Sequence, residues 1–212
     1  MDSIIDRFEN IKSLINNSNV KIVAVSKTFS HEFIRPLVDY GHLHFGENKV
    51  QEAQSKWSDV KKKNPDINLH MIGKLQSNKA KAAIKLFDYI HSLDNQKLAE
   101  TLSRCENSMN KKLQYFIQIN IGKEKQKTGI SIDLLDDFFY YCSKELKMNI
   151  IGLMAIPPND GKENIYFKNL MELNKSLGLK ELSIGMSTDY KTALNFGATF
   201  VRIGTSIFGN RI

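Results

Sequence analysis

Lys27 is the residue whose type and position most clearly suit chemistry. It follows the apolar run 22–25, whose β-branched residues favour a buried strand. Side chains alternate along a strand, so Val23, Val25 and Lys27 share one face. An ammonium group beside two valines costs free energy unless the amine has a use. It either attacks a carbonyl carbon to form a Schiff base, or it simply extends from the strand end to water.

Two turns near the end of the sequence are rich in small and hydroxyl residues. They read GMST from Gly185 and GTS from Gly204, and each follows a strand-like segment and precedes a helix-like one. Backbone N–H groups at a helix N-terminus attract anions, and glycine allows a close approach. Ser187 and Thr205 would add hydroxyl donors. The pattern favours a phosphate site, although small residues are common in any tight turn between a strand and a helix.

Arg202 alternates with Gly204 along the last strand-like segment, so both should face the same side. A guanidinium in that position needs a partner. The partner is either a carboxylate on another strand, such as Glu47 or Asp94, or an acceptor atom on a ligand ring.

These residues are placed by a regular alternation of strand-like and helix-like segments. A first helix capped by Ser3 is followed by eight strand-like segments, each separated from the next by a helical one. Strict alternation indicates a parallel sheet. Eight units predict a single α/β domain over 1–212, a (β/α)₈ TIM barrel with an extra N-terminal helix, smaller than the roughly 250 residues typical of that fold. The predicted strands cover 21–27, 43–46, 69–73, 89–93, 115–121, 150–156, 182–185 and 200–203.

An open doubly wound sheet is the competing architecture. The sequence has no Gly-x-Gly-x-x-Gly after its first strand, which weakens the dinucleotide-binding version of that fold.

In a barrel, the carboxyl ends of the strands share one rim, and that rim carries the functional site. The turns after the seventh and eighth strands often bind phosphate there. A reactive Lys27, a phosphate site on another part of the rim and Arg202 between them together describe a pyridoxal phosphate site, with the arginine facing the ring nitrogen.

Seven separate motifs, in order and over nearly the whole chain, resemble the YggS/PROSC-type pyridoxal phosphate homeostasis proteins, which share the barrel of the alanine racemase N-terminal domain. The motifs are VAVSKT around Lys27, HFGENKVQEA from His44, HMIGKLQSNK from His70, INIGKEKQKTGI from Ile119, GLMAIPP from Gly152, LSIGMSTDYKTAL from Leu182 and VRIGTSIFG from Val201.

The resemblance implies a role for each candidate site residue. It makes Lys27 the Schiff-base lysine and puts Arg202 near the pyridine nitrogen. It gives the phosphate to Met186, Ser187, Gly204 and Thr205, and it adds Asn48, His70 and Met154 to the pocket wall. The loop 124–127 is expected on the same rim, with its charges solvated.

The resemblance also implies a carrier or regulator of pyridoxal phosphate rather than an enzyme, with apo forms of pyridoxal-phosphate-dependent enzymes as candidate recipients. An arginine at the ring nitrogen disfavours protonation of the ring, because two cations would face each other. In alanine-racemase-like enzymes a tyrosine from a separate domain supplies the second acid–base group, and we expect no such domain here. The alternative is a low-activity racemase or lyase. We expect a monomer.

Composition excludes several other classes. The 212 residues are 42% hydrophobic and 25% charged, and no apolar run approaches a membrane span. We expect no signal peptide from the charged residues near the start of the sequence, and Cys105 and Cys142 lack metal-type spacing, which favours a cytoplasmic protein. The net charge of +7 permits nucleic-acid binding. We rank that class last, since no aromatic–basic stripe or binding motif accompanies the charge.

Overall fold

A computed structural model describes residues 3–124 and 128–209. Its eight strands pair in parallel, in chain order, and the last pairs with the first to close a barrel. The fold class predicted from the sequence is confirmed, and the open-sheet alternative is wrong. The strands are β1 Lys21–Val25, β2 His44–Glu47, β3 Asn68–Met71, β4 Tyr89–Leu93, β5 Gln114–Ile119, β6 Ile150–Ala155, β7 Glu181–Met186 and β8 Phe200–Ile203.

Helices cover the outside of the barrel between successive strands. They are α1 Ile4–Ile15, α2 His31–Asp39, α3 Val50–Lys63, α4 Ala80–Leu86, α5 Gln96–Met109, α6 Leu135–Tyr140, α7 Glu163–Ser176, α8 Tyr190–Leu194 and α9 Thr205–Phe208. Short 3₁₀ turns at Ser77–Lys79 and Ile132–Leu134 lead into α4 and α6, and a π-helical turn at Tyr141–Glu145 continues α6.

The extra N-terminal helix begins with the capping box expected from Ser3. The Ser3 hydroxyl accepts a hydrogen bond from the Asp6 amide at 3.1 Å, and the Asp6 carboxylate accepts one from the Ser3 amide at 2.9 Å. The helix buries Phe8 and two isoleucines, and the Arg7 guanidinium donates to the Ile207 carbonyl at 2.7 Å. That bond ties α1 to α9, immediately after the last strand of the barrel.

Two layers of side chains fill the molecule. A large apolar cluster lies between the strands and the helices, and includes Phe45 and Trp57. A smaller cluster of Val23, Tyr89, Phe116, Met154 and Phe200 occupies the barrel interior, since these residues alternate with the outward-facing ones. Buried polar residues share that interior, among them His70, His91, Ser183 and Arg202.

Side chains of α3 hold the turn that follows β1. Glu47 at the end of β2 is completely buried, and its Oε1 accepts hydrogen bonds from Ser26 Oγ at 2.7 Å, Lys56 Nζ at 2.9 Å and Trp57 Nε1 at 2.9 Å. Lys56 Nζ also donates to the Ser26 carbonyl at 2.7 Å. Ser26 is therefore fixed through both its hydroxyl and its backbone.

The other end of the same turn is held by Glu52. Its carboxylate accepts from the backbone N–H of Thr28 and lies 3.3 Å from Lys56 Nζ. Thr28 has φ +69°, in the left-handed region that a β-branched residue rarely adopts. We call Glu47, Glu52 and Lys56 the α3 network. This network forms hydrogen bonds to Ser26 and Thr28, on both sides of Lys27. It therefore fixes the position of the Lys27 backbone, from which the side chain extends.

The described part of the chain shows no helix long and apolar enough to cross a bilayer. Across residues 3–124 and 128–209, no group of three or more metal-ligating side chains could hold an ion. Cys142 is buried, and burial raises the pKa of its thiol to about 12, whereas Cys105 is only half-buried.

We predict that Lys56→Met destabilises the protein strongly, by about 3–5 kcal/mol, since it leaves the buried Glu47 carboxylate without its cation. Lys62→Met on the same helix is the matched control. Lys62 pairs with Asp59 in full exposure, so its loss should leave the free energy of unfolding close to that of the wild type. Urea denaturation of both variants measures the difference, and equal costs would show that the α3 network adds nothing to stability.

We also predict that His42 makes the free energy of unfolding sensitive to acid. Its ring packs against the rings of Phe8 and Phe45. Burial lowers the pKa of His42 to about 4, below its ordinary 6.5. Between pH 6.5 and 4, His42 therefore binds a proton in the unfolded chain but not in the folded chain. The resulting stability is present above pH 6.5 and is lost as the pH falls towards 4.

The variant His42→Phe should remove this contribution of His42 to the pH dependence of stability. Between pH 6.5 and 4, its free energy of unfolding should fall less steeply than that of the wild type, by up to about 1.4 kcal/mol per pH unit. Between pH 7 and 8 the two curves should run parallel. Denaturation at stepped pH tests this, and identical slopes in the acid range would contradict it.

Candidate functional site

A cavity of about 300 Å³ opens at the carboxyl ends of β1, β2, β7 and β8. We call it the rim cavity. Its volume is at the lower end of the roughly 300–1,000 Å³ usual for small-molecule sites, and so suits a ligand with one ring. It is lined by Val25, Lys27, Phe29, Asn48, Ile72, Ile156, Met186, Ser187, Thr188, Arg202, Gly204 and Thr205.

The pairing of β1 with β8 brings the two ends of the chain to this cavity. Val23 lies opposite Arg202 and Ala24 opposite Ile203 in the parallel register. The strands therefore end side by side, with Lys27 after one and Gly204 after the other. Seven of the nine residues expected at the site line the rim cavity: Lys27, Asn48, Met186, Ser187, Arg202, Gly204 and Thr205.

Two turns form one side of the rim cavity, and hydrogen bonds fix them to each other. Asp189 accepts from the Met186 amide at 2.6 Å, which closes the turn after β7. Ser187 Oγ accepts from the Ser206 amide at 3.4 Å, which joins this turn to the one after β8. Within the described residues, the amides of Ser187, Thr188 and Thr205 donate no hydrogen bond. They remain available to an anion.

Gly185 is the residue that allows the first of these turns to lie so close to α8. Its φ is +90°, and a Cβ at this position would come within 2.8 Å of Ala193 Cβ and 2.9 Å of Tyr190 Cα. Any other residue would be strained in its backbone and would push α8 away from Ser187.

Arg202 supplies a buried cation beneath the turns. Its Nη1 donates to the carbonyl and the hydroxyl of Ser183, both at 2.7 Å, and its Nη2 donates to the Ala155 carbonyl at 3.0 Å. These bonds use three of the five guanidinium N–H groups and leave two. Burial lowers the pKa of Arg202 to about 10, an effect that Asp189 partly offsets, so the side chain stays charged at neutral pH.

The ion pair considered for Arg202 with Glu47 or Asp94 is not observed among the described residues. Glu47 belongs instead to the α3 network, on the outer side of the sheet. All three acceptors around Arg202 are uncharged. No carboxylate is hydrogen-bonded to the guanidinium, and its positive charge, only partly offset by Asp189, is directed at the rim cavity.

The charged side chains that line the rim cavity are all positive. Lys27 and Arg202 are its ionisable lining residues, and no carboxylate, histidine or tyrosine is among the rest. Two cations, two hydroxyls and unbonded amides together favour a small anionic ligand.

His70 and Met154 are not among the lining residues. Both are fully buried in the barrel interior, where His70 bonds to two other histidines and Met154 packs with Phe116 and its neighbours. The cavity instead meets Ile72 and Ile156, each two residues further along. Residues i and i+2 share a strand face, but only the second reaches the rim.

Sequence reasoning also omitted Val25, Phe29 and Thr188. Alternation puts Val25 on the face of Lys27, and Thr188 adjoins Ser187, so both carried a usable signal. Phe29 carried none, because it reaches the cavity through the turn after Lys27. Of the loop 124–127 expected on this rim, residues 125–127 lie outside the described residues.

Comparison with known proteins gives one family over the whole chain. The model of the alanine racemase N-terminal domain matches residues 1–211. A pyridoxal phosphate homeostasis protein from Aquifex aeolicus is 37% identical over 200 residues, which cover 90% of this chain and 87% of the relative.

Solved structures agree. PipY of Synechococcus elongatus, with PLP bound, is 34% identical with a TM-score of 0.90, and the match covers 98% of this chain and all of PipY. An alanine racemase from Clostridium difficile 630 has a TM-score of 0.79 at 14% identity. It matches all of this chain but only 57% of the racemase, and therefore supports the fold alone.

The motifs, the closed barrel and these relatives converge, and the prediction made from the sequence is confirmed: the chain belongs to the family of pyridoxal phosphate homeostasis proteins.

Proposed function

We propose that this protein binds pyridoxal 5′-phosphate in the rim cavity and holds it covalently through Lys27, as a carrier or regulator of the cofactor. The observation that carries the proposal is the meeting of Lys27, Arg202 and two hydroxyl-bearing turns on one cavity without a carboxylate. PipY, a relative at 34% identity, was solved with PLP bound.

The residues of the cavity fit the three chemical parts of the cofactor. When bound, pyridoxal phosphate supplies an aldehyde, with which an amine forms a C–N bond as water leaves. Lys27 Nζ is the amine in this cavity. Ser187, Thr205 and the amides of their turns hold the phosphate, with Met186 and Gly204 as backbone neighbours. Asn48, which follows β2, lines the wall on the side of Lys27 away from these turns.

Arg202 faces the ring nitrogen in this arrangement. It is a charged donor at neutral pH and has two N–H groups left for a ligand. A donor that keeps its own proton leaves the ring nitrogen unprotonated, and an unprotonated ring is a weaker electron sink. The site thus favours holding the cofactor over using it.

The non-catalytic part of the proposal has a second support. The described lining residues of the rim cavity include no carboxylate, histidine or tyrosine that could move a proton at a substrate carbon. Racemisation requires an acid–base group on each side of the substrate. The alternative, a low-activity racemase, follows from the alanine racemase fold alone.

We predict that pyridoxal phosphate added to the protein gives the absorbance band of a lysine-bound cofactor, and that Lys27→Ala abolishes it. Borohydride reduction followed by peptide mapping should find the added mass on the peptide that contains Lys27. Lys74→Ala is the matched control, because Lys74 is exposed on the same rim but outside the cavity. It should keep the band and the label.

A label on another lysine would refute the assignment of Lys27. The same preparation, incubated with single enantiomers of amino acids, should produce no racemisation. Turnover that disappears in Lys27→Ala would replace the carrier with the racemase.

We further predict that Ser187→Ala combined with Thr205→Val weakens binding of pyridoxal phosphate without weakening that of pyridoxal, which lacks the phosphate. Two lost hydrogen bonds to a charged group, at about 1.5–3 kcal/mol each, amount to at least a hundredfold or so in affinity. Titration of both ligands measures the ratio.

The matched control is Thr192→Val, in α8 beside the turns but not on the cavity. It should keep the wild-type ratio of the two affinities. An unchanged ratio in the double variant would remove the phosphate from these turns.

A further inference from the structure

Three histidines form a continuous hydrogen-bonded row through the barrel interior. His44 Nδ1 lies 3.0 Å from His70 Nε2, and His70 Nδ1 lies 2.9 Å from His91 Nε2. His91 Nδ1 lies 2.8 Å from Ser183 Oγ, which accepts from Arg202 Nη1 at 2.7 Å. We call His44, His70 and His91 the histidine row. It joins the half-buried His44, on the amino-end side of the barrel, to the arginine of the rim cavity.

The rings of the row are held in place independently of these hydrogen bonds. His70 stacks on Tyr89 with centroids 4.3 Å apart and an angle of 13°. His91 stacks on Phe116 at the same distance and an angle of 25°. The ring planes are thus set by aromatic packing, and each nitrogen points at its partner along the row.

The arginine determines the direction of the whole row. A guanidinium only donates hydrogen bonds, so Ser183 Oγ must accept from it. The Ser183 hydroxyl hydrogen then has one acceptor among the described residues, His91 Nδ1. A neutral imidazole has one donor and one acceptor nitrogen, so His91 must carry its proton on Nε2 and donate to His70.

The proton on His91 Nε2 in turn determines the tautomers of His70 and His44. His70 accepts on Nδ1 and donates from Nε2 to His44 Nδ1, which leaves His44 with its proton on Nε2. The opposite direction would leave the buried Ser183 hydroxyl hydrogen without an acceptor, at a cost of about 1–3 kcal/mol. Burial lowers the pKa of both His70 and His91 well below 6.5, and at His91 the nearby charge of Arg202 lowers it further, so the rings stay neutral.

We propose that His91, His70 and His44 are positioning residues for Arg202, and that a hydrogen-bonded row of fixed direction, with each ring an Nε2–H tautomer, holds Ser183 where it accepts from the guanidinium. The row substitutes for the missing carboxylate. It provides neutral partners that fix Arg202 without pairing its charge, which stays directed at the rim cavity. The consequence for the cofactor rests on the proposed function, whereas the direction of the row does not.

The direction is tested in the cofactor-free wild-type protein by nitrogen NMR of labelled histidine side chains at neutral pH. We expect the Nε2–H tautomer at all three positions. Ser183→Ala removes the anchor and should leave the tautomers of His91 and His70 mixed or reversed. Ser92→Ala is the matched control, since Ser92 is equally buried on β4 but bonds to the Gly73 carbonyl. It should leave the three tautomers unchanged. An Nδ1–H tautomer at His91 in the wild type would overturn the proposal.

The role toward Arg202 is tested in the cofactor-loaded protein with two variants of His91. His91→Phe keeps the stacking on Phe116 and removes the acceptor for Ser183. It should shift the absorbance of the bound cofactor and weaken its retention by up to about tenfold, as expected for one hydrogen bond between neutral groups. His91→Asn puts an acceptor oxygen near the position of Nδ1 and should restore both properties.

A folded His91→Phe with the wild-type spectrum and retention would overturn the positioning role. A purely structural effect would make the two variants alike. Failure of the proposed function would appear separately, as loss of the Lys27 label in the wild type, and would leave the tautomer result standing.

Discussion

The pairing of the first strand with the last is the constraint on which the site depends. In an open sheet, β1 and β8 would be edge strands, and Lys27 would lie far from Gly204. Closure puts Val23 opposite Arg202 and makes neighbours of the turns that follow the two strands. The N-terminal helix supports the same junction from outside, through the bond from Arg7 to the Ile207 carbonyl. Residues separated by most of the chain thus share one cavity of about 300 Å³.

Two buried polar arrangements position the cations of that cavity, and they lie on opposite sides of the sheet. The α3 network, outside the barrel, grips Ser26 and Thr28 and so fixes the turn that carries Lys27. The interior of the barrel holds Arg202 through Ser183 and Ala155. In the first arrangement a buried carboxylate balances a buried ammonium. In the second, neutral acceptors replace the carboxylate, and the positive charge stays directed at the ligand.

This division of charge suits a protein that holds an anionic cofactor. Carboxylates are kept in the outer layer, with Glu47 and Glu52 around Lys56, and none lines the rim cavity. The electrostatic field inside the cavity is therefore positive, and few of its lining groups can donate or accept a proton. A positive cavity of this kind suits an anionic ligand and offers few groups that could transfer a proton.

The sequence by itself determined the barrel and predicted many of the residues that line the rim cavity. The alternation of strand-like and helix-like segments gives the number of strands, and the strand ends give the position of the rim. The motifs around Lys27, Gly185 and Arg202 are short enough to be recognised in the sequence itself. Where the prediction differs from the structure, as for His70 and Met154, the reason is geometric. Alternation identifies the face of a strand, but the depth along that face depends on the register of eight strands.

Only the tertiary structure decided which partners the buried polar groups have. Glu47 was a candidate partner of Arg202, yet it faces the helices, one residue out of phase with the barrel interior. His44, His70 and His91 are each unremarkable in the sequence, and they form a row only because three successive strands pair at that depth. Hydrogen bonds between distant residues depend on closure and register, which no local pattern encodes.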